Sequence, residues 1–414
     1  MSLHADLEWE LRTSGSDNNG GAFRDADPGT SVDYSQQDSA QLAPSDLAMV
    51  TGGTTLTSAA GGFTGAMVGN VIHITSGTNF TAGWYEITAY TDTNTIEIDR
   101  DATNGSNASS GQGYVGGGVQ TPEAIDAIVV AGNTVHVQAG TYTLTGAVGW
   151  TAGGADSQVL ISGYHSSHGD SPTGDDRPLF SCGAYTWGNT NDYVSTEHLR
   201  FSGTGNPTLK LAGYAKHRNL YWENTTASSN RPAAQLQDHY AIVIDCEGTC
   251  PNSTGGRALD CYSRKSIVVG CYFHDATYGL YTVDDGSSVA FTIFDTCAAD
   301  GLNSNSNCHN LTVINCVFYG CDDGLYYHGS GLAVLNCVFE ACTTYGINVG
   351  SSTSASILLD HNNWRNNGTD VSGCSKGPNA TAVDPQFTDA GGGDFSRSGS
   401  NLDGQALSIT QGVG

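Results

Sequence analysis

The strongest constraint in this sequence is an internal repeat in its C-terminal half. Four segments align on a phenylalanine: Val268-Val-Gly-Cys271-Tyr-Phe273, Val289-Ala-Phe-Thr292-Ile-Phe294, Val313-Ile-Asn-Cys316-Val-Phe318 and Val334-Leu-Asn-Cys337-Val-Phe339. The phenylalanines stand 21, 24 and 21 residues apart. Each segment is followed by a second anchor, Gly279-Leu280, Gly301-Leu302, Gly324-Leu325 and Gly346-Ile347, spaced 22, 23 and 22. A less regular copy ends at Cys246, and Leu220-Tyr-Trp222 begins another. A unit this short cannot bury its apolar face alone, so the copies must stack.

Short strands with Gly, Asn and Asp turns at this period are the pattern of a parallel β-helix, one repeat to each coil. The Leu-x-x-Leu-x-Leu-x-x-Asn frame of a leucine-rich repeat is not found. The expected fold is therefore all-β, a right-handed parallel β-helix. From Ala124 to about Val371, at about 22 to 24 residues per coil, it should make roughly ten or eleven coils, a rod about 50 Å long at ~4.8 Å per coil. Composition agrees: 55 of 414 residues are glycine and only 14% are charged, which favours turns and short strands over helices.

Upstream of the repeat the chain changes character. Residues 1–48 are polar and turn-rich, with Trp9, Leu11, Phe23 and Tyr34 as isolated anchors, and read as an extended strap. Residues 49–118 hold a small β-module with period-two alternation in Val71–Ile74, Trp84–Ile87 and Thr95–Ile98, followed from Asp101 by a Gly/Ser/Asn-rich linker. Thr121-Pro122-Glu123 is a helix start, and a short capping helix should run through Val129 before Gly132-Asn133 ends it. The β-helix is assigned to 119–375 and a C-terminal cap to 376–414.

Alternation sorts the coil's side chains. With the phenylalanines inside, Cys271, Thr292, Cys316 and Cys337 point inward, as do Val269, Ala290, Ile314 and Leu335. Two outward stripes are then apolar: Val268, Val289, Val313 and Val334, and Tyr272, Ile293, Val317 and Val338. A sheet apolar on both faces is covered on both. The cover is either the N-terminal strap or a second copy of the chain, most naturally in a trimer of rods. The cysteines fall on the same lattice, Cys246, Cys271, Cys316 and Cys337 in one column and Cys297, Cys321 and Cys342 in another. Adjacent coils are close enough for disulfides, but small thiols also fill a narrow core without oxidation. No CxxC pair has metal spacing, so no metal site and no cofactor are expected.

Charge bounds the partners. Forty-one acidic against fifteen basic side chains leave a net charge of −26, which argues against nucleic acid and anionic membranes. No apolar run is long enough for a membrane span, and the N-terminus lacks the basic and apolar regions of a secretion signal. Asp300 and Asp323, each before a Gly-Leu anchor, share a position on adjacent coils. Two readings stand: Asp-Gly as turn chemistry, or a carboxyl pair about 5 Å apart of the kind a retaining glycosidase uses. The nearby basic residues His274, His309, His328, Arg264 and Lys265 form no repeated column, and the negative charge repels an acidic glycan, so a lyase on such a substrate is disfavoured. After the anchors, Tyr281, Asn303, Tyr326 and Asn348 alternate along one outward column. They are either ordinary ladder residues or a glycan-contacting surface, since rings stack on sugars and amides bond hydroxyls.

Several motifs resemble a group of bacteriophage and prophage β-helix proteins. They are Trp9-Glu-Leu-Arg-Thr-Ser-Gly-Ser-Asp17 through Phe23 with Asp33-Tyr34, Gly69-Asn70 with Ala82-Gly83-Trp84-Tyr85, Gly132-Asn133 through Tyr142, and Ile161-Ser-Gly-Tyr164 with Asp176-Arg177-Pro178. The closing Val383-Asp384-Pro385-Gln-Phe387 and Gly393-Asp394-Phe395 are similar to the ending of many right-handed parallel β-helix proteins. The resemblance implies a non-enzymatic structural protein of a phage particle, as tail fibre, tailspike or capsid decoration. It also implies other virion proteins as partners and a host-surface polysaccharide as a contact. The alternative is a glycan depolymerase, a glycoside hydrolase using Asp300 and Asp323.

Overall fold

In the computed structural model, the described residues are 3–26, 29–150, 153–188, 192–304, 306, 308–350 and 356–402. Two compact units divide the chain: Met1–Phe180 with Tyr193–His198, and Ser181–Asp192 with Leu199–Gly414. Residues 403–414 of the expected C-terminal cap lie outside the described set.

In the first unit, six antiparallel strands between Leu47 and Val115 close into a barrel around Leu56, Phe63, Ile72, Ile74, Tyr85, Ile87 and Ile96. The expected linker is part of it, because Ala108–Val115 is the closing strand. Its glycines are packing residues: a Cβ on Gly111 would stand 2.5 Å from the Phe80 ring, and one on Gly113 2.7 Å from Leu47. The barrel also takes Leu47–Met49 from the expected strap. The strap is in turn more than a cover. Glu8–Leu11 pairs in parallel with Thr134–Gln138, which pairs with Val159–Tyr164, and Leu7, Trp9 and Leu11 are fully buried. The capping helix is a single turn, Pro122–Ile125, and the Thr121 hydroxyl donates to Asp17 at 2.8 Å rather than capping it.

The second unit is a parallel β-helix with three sheets. Its third sheet alone has nine strands, from Trp187–Gly188 to Thr369–Ser372, which sets about nine turns. The expected ten or eleven were too many because residues 144–150, 153–158 and 165–178 run mostly as loops. Inside, Phe294, Phe318, Phe339 and Trp364 stack at centroid spacings of 4.8, 4.7 and 4.7 Å with planes within 9° of parallel. Beside this stack, the glycine of each Gly-Leu anchor is required by space. A Cβ on Gly301 would lie 2.7 Å from the Gly324 carbonyl oxygen and 2.9 Å from the Phe318 ring.

The side-chain alternation needs correction. Val268, Val289, Val313 and Val334 are inside, at most 2% exposed, and Val269, Ala290, Ile314 and Leu335 take the outer positions. The cause is a corner. Gly270, Phe291, Asn315 and Asn336 each adopt a positive φ between 52° and 68°, which turns the chain from the first sheet into the second and resets the two-residue period. Valine and phenylalanine therefore share the interior although five residues separate them.

Tyr272, Ile293, Val317 and Val338 do face outward, and they are covered by neither strap nor second copy. The chain's own C-terminal segment lies on them: Val383, Phe387, Phe395 and Leu402 pack against Ile293, Val317, Val338 and Tyr319. The antiparallel hairpin of Phe387–Asp389 and Asp394–Arg397 brings Phe395 edge-on to Tyr319 at 5.5 Å.

The cysteines are free thiols, eleven buried and Cys374 half-buried. Burial pushes Cys182, Cys261 and Cys308 up to about 12, so these thiols stay protonated at neutral pH. Among the described residues no helix is long and apolar enough to cross a membrane.

The ring stack should behave as a continuous column. Phe318→Ala, which removes a ring contacted on both sides, should cost about 3–5 kcal/mol. Urea unfolding followed by circular dichroism measures it, and a loss under about 1 kcal/mol would show that the stack is not a principal source of stability.

Candidate functional site

The third sheet brings the sequence-identified carboxylates and the aromatic–amide column onto one outer face. Its inward anchors, Leu280, Leu302, Leu325 and Ile347, are fully buried, so the residues on either side of each Gly-Leu pair point out. One outward column runs Arg257, Tyr278, Asp300, Asp323, Tyr345; the other runs Asp260, Tyr281, Asn303, Tyr326, Asn348. Register confirms them, with Asp300 opposite Asp323, Asn303 opposite Tyr326, and Tyr326 opposite Asn348. The ladder shifts register after Leu280, beside Tyr281.

Asp300 and Asp323 are the first residues of the strands Asp300–Ser304 and Asp323–Tyr327 rather than turn residues. The amides expected to face a ligand hold these carboxylates instead. Asn303 donates to Asp300 at 2.5 Å and Asn348 to Asp323 at 2.8 Å. The other Asp323 oxygen is buried without a hydrogen-bond partner. Tyr326 stands 5.3 Å from the His328 ring, and Tyr281 lies beneath the Arg257 guanidinium at 4.1 Å, with Tyr278 at 4.6 Å.

Electrostatics separates this pair from ordinary surface aspartates. Burial pushes the Asp300 carboxyl up to about 7; the bond from Asn303 works against the shift, and the charges of Asp323 and Asp322 add to it. Asp323 is also raised, by burial first, with Asn348 opposing and Asp322 adding repulsion. Near neutral pH Asp300 is therefore poised to hold a proton and donate it, beside a second carboxyl on the adjacent rung. That is the elementary requirement for general-acid chemistry on an oxygen leaving group.

His328 stands beside Tyr326 on this face, and the other basic candidates are placed elsewhere. His274 belongs to the second sheet, stacked on Tyr272 and held by Glu247 and Asp275 at 3.2 and 2.9 Å. Arg264 pairs with Asp284, Lys265 with the Tyr240 hydroxyl, and the His309 ring with Ser330. The cation of this face nearest the pair along its column is Arg257, bonded to the buried Asp260 at 2.5 Å, two rungs before Asp300. Arg257-Ala-Leu-Asp260 repeats the frame of Tyr278-Gly-Leu-Tyr281 with alanine for glycine, a signal the glycine-anchored repeat conceals. Among the described residues, one group of histidine and acidic side chains is close enough to share a metal ion, Glu8, His136 and His168, and it lies in the first unit.

With this geometry in hand the family is defined: the right handed beta helix region matches residues 182–403, more than half of the chain, and the protein belongs to that family. Solved structures of similar fold include the PL6 family alginate lyase AlyGC, at 15% identity over 61% of this chain and 39% of that one with a TM-score of 0.47. The PL6 family polysaccharide lyase Pedsa3628 from Pseudopedobacter saltans is 14% identical over 61% and 76%, TM-score 0.46. The Dettilon tailspike protein is 10% identical over 62% and 60%, TM-score 0.34. No curated protein matches the chain.

The raised Asp300 carboxyl has a stability consequence. Its folded pKa exceeds the ordinary value of 3.8, so the folded state binds the extra proton, and stability falls as pH rises from about 4 through about 7. Asp300→Asn should be more stable than the parent at pH 8, by on the order of 1–3 kcal/mol, and the difference should vanish near pH 4. Parallel melting curves at both pH values test this; an equal effect at the two would contradict the buried-proton assignment.

Proposed function

We propose that this chain is a non-enzymatic structural component of a phage particle, a tail fibre, tailspike or capsid decoration, that contacts a host-surface glycan through the outer face of its third sheet. The observation that supports the glycan contact is the in-register ladder Asn303–Tyr326–Asn348 with Asp300 and Asp323 beside it. Rings and carboxyls at rung spacing, about 4.8 Å, can follow the length of an oligosaccharide, stacking on sugar faces and accepting from hydroxyls. The phage assignment rests on the terminal motifs. Titration of host-surface polysaccharide should show binding that Tyr326→Ala weakens at least tenfold. Binding unchanged by Tyr326→Ala and Tyr281→Ala would remove this face from consideration.

A second reading, a glycan depolymerase of glycoside hydrolase type, is favoured by one observation: the Asp300 carboxyl at about 7 beside Asp323. In that reading Asp300 protonates the leaving oxygen and Asp323 is the nucleophile. Reducing-end release from the same polysaccharide separates the two. The structural reading expects none; the enzymatic reading expects release that Asp300→Asn and Asp323→Asn each abolish.

The particle component is further proposed to be a homo-oligomer, most simply a trimer, joined through the outer face of the first sheet. There Val269, Ile314 and Leu335 are half-buried in the single chain, and Ile267 and Leu358 are 43% and 55% exposed. A second copy is the occupant favoured by charge: for a chain of net charge −26 like-charge repulsion between copies is least where charge is absent, and these five positions carry none. Light scattering should give a multiple of 43.0 kDa, reduced to the monomer by Ile314→Asp with Leu335→Asp. A monomeric parent would refute the interface.

A further inference from the structure

We infer that the first unit carries a site for a divalent transition metal of the zinc type, formed by Glu8, His136 and His168 with Glu10 beside it. The backbone assembles it from three segments distant in sequence. Glu8 and Glu10 project from the same face of Glu8–Leu11, whose alternate residues Trp9 and Leu11 are buried. Glu10 stands opposite His136 in the neighbouring strand, and Val135 and Val137 turn inward, so the His136 imidazole shares the face of the glutamates. His168 comes from the exposed turn after Val159–Tyr164, where the Asp170 carboxylate accepts from the backbone N–H groups of His165, Ser166 and Ser167.

The donor atoms converge. His136 Nε2 is 3.3 Å from Glu8 Oε2, His168 Nε2 is 2.9 Å from Glu10 Oε2, and the two imidazoles stack at 3.7 Å with planes 11° apart. One donor from each of Glu8, His136 and His168 lies within 4.8 Å of the other two. Zinc bonds of about 2.1 Å in a tetrahedron need donors roughly 3.4 Å apart. Closure therefore asks for about an ångström of movement and a tilt of one ring out of the stack. The turn bearing His168 and the Glu8 side chain, 56% exposed, are the parts free to make it. Two imidazoles and a carboxylate suit zinc, nickel or copper, whereas calcium and magnesium prefer oxygen donors alone. Glu10 is fully buried, held by Arg12 at 3.2 Å and bonded to His168 Nε2 at 2.9 Å, which suits it to orient His168 rather than to bind the ion and leaves Nδ1 of that ring as the donor. A bound ion would fasten the strand Glu8–Leu11 to the strand Thr134–Gln138 and to the turn after Val159–Tyr164.

The test uses the full chain, stripped with a chelator and titrated with zinc chloride by calorimetry, and with cobalt chloride for its visible spectrum. One zinc per chain is expected, with a rise in melting temperature of several degrees at saturation. Cobalt should give ligand-field bands without thiolate charge transfer. His168→Ala, placed on the turn and outside every strand, and Glu8→Gln should each weaken binding at least tenfold, while His274→Ala leaves it unchanged. Absence of saturable binding, affinity in His168→Ala and Glu8→Gln equal to that of the parent, or a thiolate spectrum would overturn the assignment.

Discussion

The left-handed corner is the constraint on which the rest of the coil depends. A flat strand cannot close a coil of about 22 residues; it must bend sharply between sheets without leaving backbone groups unpaired. Here one residue per corner takes a positive φ, Gly270, Phe291, Asn315, Asn336 and His361 between the first and second sheets, and Thr296, Gly320, Ala341 and Asn366 between the second and third. The residue after each corner points inward and is small. At the first corner these are Cys271, Thr292, Cys316, Cys337 and Asn362; at the second, Cys297, Cys321, Cys342 and Asn367.

That placement explains the cysteines better than redox chemistry does. A thiol just inside the corner lies against carbonyl oxygens of its own rung and the previous one: Cys316 Sγ is 3.3 Å from the Ile314 carbonyl and 3.6 Å from that of Val289, and Cys337 repeats the pattern at 3.3 and 3.7 Å. Sulfur is a weak donor, but it is apolar enough to pack beside phenylalanine. Where the columns end, asparagine replaces cysteine with stronger bonds. Asn362 accepts from the Cys337 N–H at 2.8 Å, and Asn367 from that of Cys342 at 3.0 Å. The Asn362 amide oxygen takes the place that Cys337 Sγ holds one rung earlier, where it accepts from the Cys316 N–H at 3.4 Å.

The repeat period, the phenylalanine column and the Gly-Leu anchors were legible in the sequence because they recur, and a stack makes recurrence equivalent to contact. Both carboxylates and the aromatic–amide column were legible for the same reason, being displacements of one or two residues from an anchor. Parity across the corner was not, since a single positive φ at Asn315 looks identical in sequence to an extended residue and yet exchanges Val313 with Ile314. The barrel strand Ala108–Val115 was hidden because its small residues suit a linker as well as a crowded closing strand. The cover on Val317 and Val338 came from hydrophobics at 383–402 that follow no period. Glu8, His136 and His168 were invisible as a group, separated by 128 and 32 positions and united only by the pairing of Glu8–Leu11 with Thr134–Gln138.

The three outer faces of the β-helix meet different demands. The second is covered by the chain itself, and the first presents aliphatic side chains. The third holds Asp300 and Asp323, both raised by burial, the latter with an oxygen lacking any partner, an arrangement that opposes folding at neutral pH. A solenoid tolerates this because its stability is a sum over rungs and their interfaces rather than the property of one core. The Asp323 rung lies inside the Phe294–Phe318–Phe339–Trp364 stack, and the Asp300 rung carries its first ring, Phe294, which Phe273 meets on the other side at 5.8 Å, so neighbours hold both. At an end rung the same carboxyls would open the stack. Local violations concentrate where a structure is over-determined, and on this chain the third-sheet face at these two rungs meets that condition.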